Sequence, residues 1–136
     1  MKNVIWLYLF ICISTLGLKA NDLQITNLSF SDVNNTITFD VQWDNSWHDA
    51  TGNFHDAVWV FVKYRTPGSQ WKHANILFSG TPPTGMSIVT PVDRKGAFIR
   101  RSTQGLGNVA AGTYKFNIIN SLGVNPSFKV FGVEMV

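Results

Sequence analysis

Two histidine–aspartate pairs stand seven residues apart, in Trp47-His48-Asp49 and Phe54-His55-Asp56. Imidazole and carboxylate together form a transition-metal donor set, so His48, Asp49, His55 and Asp56 are the candidate metal ligands. Gly52 and Asn53 between the pairs mark a loop, where such ligands can sit. The competing role is a polar surface loop whose aspartates cap turns. No second carboxylate cluster accompanies the pairs, and no cofactor is expected.

Tryptophan is the other residue type with chemistry to offer. Trp43 and Trp59 fall on strand positions with apolar phase mates, which places them in a core. Trp47 and Trp71 lack that support and are the candidate ligand-binding residues, able to stack on sugar rings if a surface groove exposes them. Arg100-Arg101 follows Phe98-Ile99, so one arginine falls on each face of a strand. One would be exposed and one would close an end of the core, with an anion contact as the alternative. Asn27-Leu28-Ser29 and Asn34-Asn35-Thr36 match the N-glycan acceptor pattern.

Nucleophilic and phosphate chemistry find no support. No Gly-x-Ser-x-Gly elbow presents a serine. Gly105-Leu106-Gly107 lacks the Lys-Ser/Thr and the helix that a phosphate loop needs. No catalytic residue is therefore assigned, and the chain is expected not to be an enzyme.

The elements that would carry these residues read as strands. Ile37, Phe39, Val41 and Trp43 alternate with Thr38, Asp40 and Gln42, the pattern of a strand with one face in a core and one in water. Before them, Leu23 and Ile25 change phase to Leu28 and Phe30, which predicts a bulge. Asp32 to Asn35 is a turn, so the domain opens with a hairpin. Ala57 to Arg65 is apolar on both faces over six positions and predicts a central strand covered on both sides. Further strands are expected at Gln70–Phe78, Met86–Val92, Gly96–Ser102, Thr113–Asn120 and Ser127–Met135, with Pro91 demoting its strand to an edge. Gln104 to Gly112, rich in glycine and alanine, reads as a loop. The fold class is all-β, an antiparallel β-sandwich of about eight strands, with a barrel less favoured.

Residues 1–20 read as a signal-peptide helix preceding that domain. Lys2 precedes the apolar run Val4–Leu18, and Ala20 offers a small residue at the cut. At about 15 residues the run is short of the roughly 20 needed to span a bilayer. The destination is the periplasm, the cell surface or the medium, with no stable membrane span once the leader is removed. Cys12 sits inside the leader, so residues 21–136 contain no cysteine. Lys2 and Lys19 also leave, and the formal charge falls by two, from +3 to +1. A charge so near zero gives no case for nucleic acid as a partner.

Four strings stand together along residues 21–136: Val41–Trp47 (VQWDNSW), Asp56–Arg65 (DAVWVFVKYR), Trp71–Ala74 (WKHA) and Lys129–Val136 (KVFGVEMV). In this combination the chain resembles the N-terminal β-domain of secreted bacterial proteins of the formylglycine-generating (sulfatase-modifying factor) enzyme class. In that family the Glu-Met-Val ending leads into the catalytic domain through a Val-Pro-x-Gly stretch. The family's catalytic residues, including its copper-binding cysteines, lie in that second domain, so none carries over to a position here. The resemblance implies an exported, non-catalytic accessory domain, with a protein or cell-surface component as its partner. A carbohydrate-binding module using Trp47 or Trp71, and a metal-binding domain using the His48/His55 loop, are the alternatives.

Overall fold

The computed structural model describes residues 21–120, 122 and 126–135. The expected leader, residues 1–20, lies outside them. Nine strands follow one another: β1 (Gln24–Ser31), β2 (Thr36–His48), β3 (Ala57–Arg65), β4 (Lys72–His73), β5 (Ile76–Thr81), β6 (Met86–Val89), β7 (Ala97–Arg101), β8 (Gly105–Ile118) and β9 (Ser127–Met135). The described part contains no helix, and all strand pairs are antiparallel.

The first sheet runs β1-β2-β8-β5. The second is built on β3, whose nine residues pair with β9 along one edge. The other edge of β3 is shared, by β7 at Val58–Val60 and by β4 at Lys63–Tyr64, and β6 pairs with β7. The two sheets face each other as a β-sandwich.

The alternation in β2 does what the sequence pattern requires. Ile37, Phe39, Val41 and Trp43 point inward and are buried, against Tyr114, Phe116 and Ile118 of β8 and Val58, Val60 and Val62 of β3. Phe39 meets Phe116 edge-on, with ring centroids 4.9 Å apart, an arrangement that adds to plain area burial. The expected bulge is present in β1. Between Thr26↔Asp40 and Ser29↔Thr38, Asn27 and Leu28 stand opposite the single residue Phe39. Asn27 takes the left-handed conformation there (φ 52°) and donates from Nδ2 to Asp40 Oδ2 at 2.7 Å. The bulge turns Leu28 out to solvent and restores Phe30 to the inner phase, opposite Ile37.

Three expectations are corrected. Residues 105–112 are not a loop but the first part of β8, paired with the far end of β2. They read as a loop because small residues replace an alternating pattern, and the packing explains one of them. A Cβ at Gly112 would lie 2.8 Å from Pro83 Cγ, so only glycine admits that proline. Gln70–Phe78 is not one strand: β4 joins the second sheet and β5 the first. Finally, β3 is central but not covered on both sides by the described residues. Its second apolar face looks outward, and Trp59 lies on that face rather than in the core.

Candidate functional site

The register of the second sheet arranges its outward side chains in rows. Val89, Phe98, Trp59 and Val133 form one row, through the pairs Val89↔Phe98, Trp59↔Phe98 and Trp59↔Val133. Phe61↔Phe131 forms the next, and His73, Lys63 and Lys129 the one after. Arg65 and Trp71 stand at the far end, and Arg100, Ala57 and Met135 at the near end. The rings interact along the face. Trp59 and Phe98 have centroids 4.7 Å apart, and Phe61 and Phe131 stack at 5.2 Å. Even so, Val133 and Met135 remain about half exposed, at 50% and 48%.

Charge on this face is mostly positive, with Asp93 beside Trp59, Phe98 and Met135 as its carboxylate. Lys63, Arg65, Lys129 and Arg100 supply cations, whereas Asp56 and Glu134 point away from it, into the sandwich. At the Trp71 end, Arg65 Cζ lies 5.0 Å and Lys129 Nζ 5.6 Å from the indole centroid, within cation–π range. Trp71 is 38% exposed and lines a shallow hollow with Lys63, Lys129 and Phe131. Trp47 is half-buried and borders a separate hollow with His48, Asp49, Gln104, Gly105 and Leu106 at the rim of the first sheet.

The four candidate metal ligands take separate roles. His48 and His55 face each other across an isolated bridge, with ring centroids 5.4 Å apart. Asp49 folds the loop: it accepts from Thr51 Oγ1 and, at 3.2 Å, from the Phe54 amide. These bonds, led by that from Thr51, hold its carboxyl below the usual range. Asp56 is buried and turned into the sandwich, where it accepts from Trp43 Nε1 (2.9 Å), Ser46 Oγ (3.0 Å) and the Trp47 amide (2.9 Å). Among the described residues, no three His, Cys, Asp or Glu side chains converge on a possible metal position. The turn-forming role is thus the one Asp49 plays, and Asp56 ties strand ends together.

The two arginines separate by face, as strand alternation requires. Arg101 closes an end of the core, donating to Ser46 Oγ at 3.1 Å and to the Gly107 carbonyl at 2.8 Å. Arg100 goes to the outer face, where Nη1 lies 2.8 Å from His55 Nε2 and 3.1 Å from Nδ1. A guanidinium only donates, so this contact requires a neutral imidazole. His55 is kept neutral by its surroundings: burial pushes its pKa down first, and the charges of Arg100 and His48 add to that.

Sequence reasoning missed Phe61, Phe131, Lys63 and Lys129 as surface residues. A usable signal was present in β9, where Phe131, Val133 and Met135 fall on the phase opposite Phe128 and Val130. A last strand that is apolar on both phases must expose one of them unless another layer covers it.

No protein-family model, curated protein or solved structure matches this chain.

Proposed function

We propose that this chain is a non-catalytic, exported binding module whose working surface is the outer face of the second sheet, and that it takes an acidic saccharide at the Trp71 end. Export rests on the leader read from residues 1–20. The observation that carries the ligand class is Trp71 itself, partly exposed beside Arg65 and Lys129. An aromatic ring offers a flat apolar surface to the C–H face of a sugar, and two adjacent cations favour a sugar bearing carboxylate or sulfate. Among the described residues, no lysine or arginine lines the hollow of Trp47, which is set apart on the rim of the first sheet.

Titration with polygalacturonate and with a neutral cellulose derivative, followed by tryptophan fluorescence, tests this reading. The acidic polymer should shift the emission, the neutral one should not, and Trp71→Ala should weaken binding at least tenfold while Trp47→Ala leaves it intact. An emission spectrum unmoved by either polymer, or full binding by Trp71→Ala, overturns it.

A second reading follows from the apolar middle of the same face. Trp59, Phe61, Phe131 and Val133 have the composition of an interface core, the surface by which an accessory domain would lean on a following domain of the formylglycine-generating class. If this holds, Val133→Glu, at a half-exposed position outside the Trp71 hollow, should keep its fold and saccharide binding but fail to bind such a domain supplied separately. Unimpaired association would eliminate it.

A further inference from the structure

At the opposite end of the face from Trp71, separated from it by the length of β3, lies a cavity of about 340 Å³. It is lined by His55, Ala57, Val89, Phe98, Arg100 and Met135. The walls are apolar except where Arg100 meets His55. Arg100 is short of partners there. Its Nε is buried without a hydrogen bond, and among the described residues no carboxylate bonds to its guanidinium. A guanidinium keeps its charge and carries five donors in a planar fork, so a buried donor left unpaired is costly.

We propose that this cavity binds a small organic acid, with its carboxylate on Arg100 and an apolar body packed against Phe98, Val89 and Met135. The fork of Arg100 matches a carboxylate in two parallel hydrogen bonds. Arg100 is the one lysine or arginine in the described lining, which suits a monoanion better than a phosphate dianion. Arg100 and Phe98 are two residues apart on one strand face, about 7 Å along the chain. Both side chains line the cavity, so an anion on the guanidinium can carry an aryl group against Phe98. A cavity of this size is at the small end of ligand sites, large enough for one ring. The site is independent of the saccharide reading, since Trp71 takes no part in it.

The test is an NMR titration of the purified protein with phenylacetate, reading the Arg100 Nε–Hε resonance, alongside phenylacetamide and inorganic phosphate. Phenylacetate should shift the resonance saturably, and the other two should bind at least tenfold more weakly. Arg100→Lys, which loses the fork, should also weaken binding about tenfold. Val89→Glu, at an exposed edge-strand position, places a carboxylate beside the guanidinium and should abolish binding without disturbing the core. Trp71→Ala should bind phenylacetate as the parent does. No saturable shift below about 10 mM overturns the proposal. So does phosphate binding as tightly as phenylacetate, or unchanged affinity in both Arg100→Lys and Val89→Glu.

Discussion

Trp43 Nε1 donates a 2.9 Å hydrogen bond to Asp56 Oδ2, and both residues are at 1% exposure. Trp43 belongs to β2 of the first sheet, and Asp56 immediately precedes β3 of the second. The bond therefore ties the two layers at the end where their strands connect. Asp56 also holds Ser46 Oγ, which in turn accepts from Arg101 Nε, so a guanidinium, a hydroxyl, a carboxylate and an indole form one chain. A buried carboxylate is tolerated because its oxygens are engaged by three donors.

Asp56→Ala should therefore cost about 3 kcal/mol or more, because it strands the Trp43 indole and the Ser46 hydroxyl in a dry interior. Asp56→Asn keeps one good acceptor and should cost less. Urea unfolding followed by tryptophan fluorescence checks both. A loss below about 1 kcal/mol in Asp56→Ala would mean the network contributes little net stability.

How far the fold could be read in advance depends on which periodicity each segment carries. The alternation at Ile37 to Trp43 is decided by burial on one face only, so its phase was plain, and the bulge at Asn27 followed from a single slip in that phase. Residues 105–112 carry no such pattern: Val109 alone among them joins the core, Gly105 and Gly112 answer to Arg101 and Pro83, and Leu106 is exposed. Trp59 was misplaced because apolar residues on both phases of β3 describe a covered strand and an exposed sticky face equally well. The His48/His55 loop could be located but not interpreted. Whether Asp49 and Asp56 turn toward the imidazoles or toward amides is settled by backbone direction, which spacing does not encode.

Gly96 offers a prediction about that misplaced face. The Trp59 indole lies directly on Gly96, where an added Cβ would collide with Trp59 Cζ2 and approach the Val60 carbonyl oxygen to 2.7 Å. Gly96→Ala should destabilise the domain by about 1–3 kcal/mol, the usual cost of overpacking. It should also shift Trp59 emission, because the ring must lift from the sheet. Comparing the variant in a Trp59→Phe background separates the indole clash from the carbonyl clash. A fully neutral Gly96→Ala would mean the ring moves freely.

Tyr114 predicts the reverse sign. Its hydroxyl is buried with no hydrogen-bond partner among the described residues, and burial pushes its pKa far up. The ring fills the core beside Phe39, but the oxygen brings only a desolvation cost. Tyr114→Phe should be neutral or stabilising by up to about 1 kcal/mol, read from the urea midpoint. A clear loss of stability would show that the hydroxyl has a partner.

Glu134 sets the pH dependence. It faces inward from β9, opposite Val58, with Oε1 buried and unpaired. Burial raises its pKa above the ordinary 4.5, the Asn21 hydrogen bond works against this, and the charge of Asp56 adds a smaller upward push. The folded state thus prefers the neutral acid. Its contribution is fully present below the unfolded glutamate pKa and is lost as pH rises through the higher folded value. Glu134→Gln removes that loss, so it should melt higher than the parent at pH 7, and the gap should close below about pH 4. Thermal melts from pH 3.5 to 8 check the sign, and a gap that widens in acid would refute it. The unfavourable charge has a use that the same variant can expose. In the described residues β9 pairs only with β3, leaving its other edge open, and an inward charge on an edge strand discourages a second chain from pairing there. Glu134→Gln should therefore gain stability at neutral pH and lose solubility together, with larger species on size-exclusion chromatography. A variant that is more stable with an elution profile unchanged from the parent would overturn this role for Glu134.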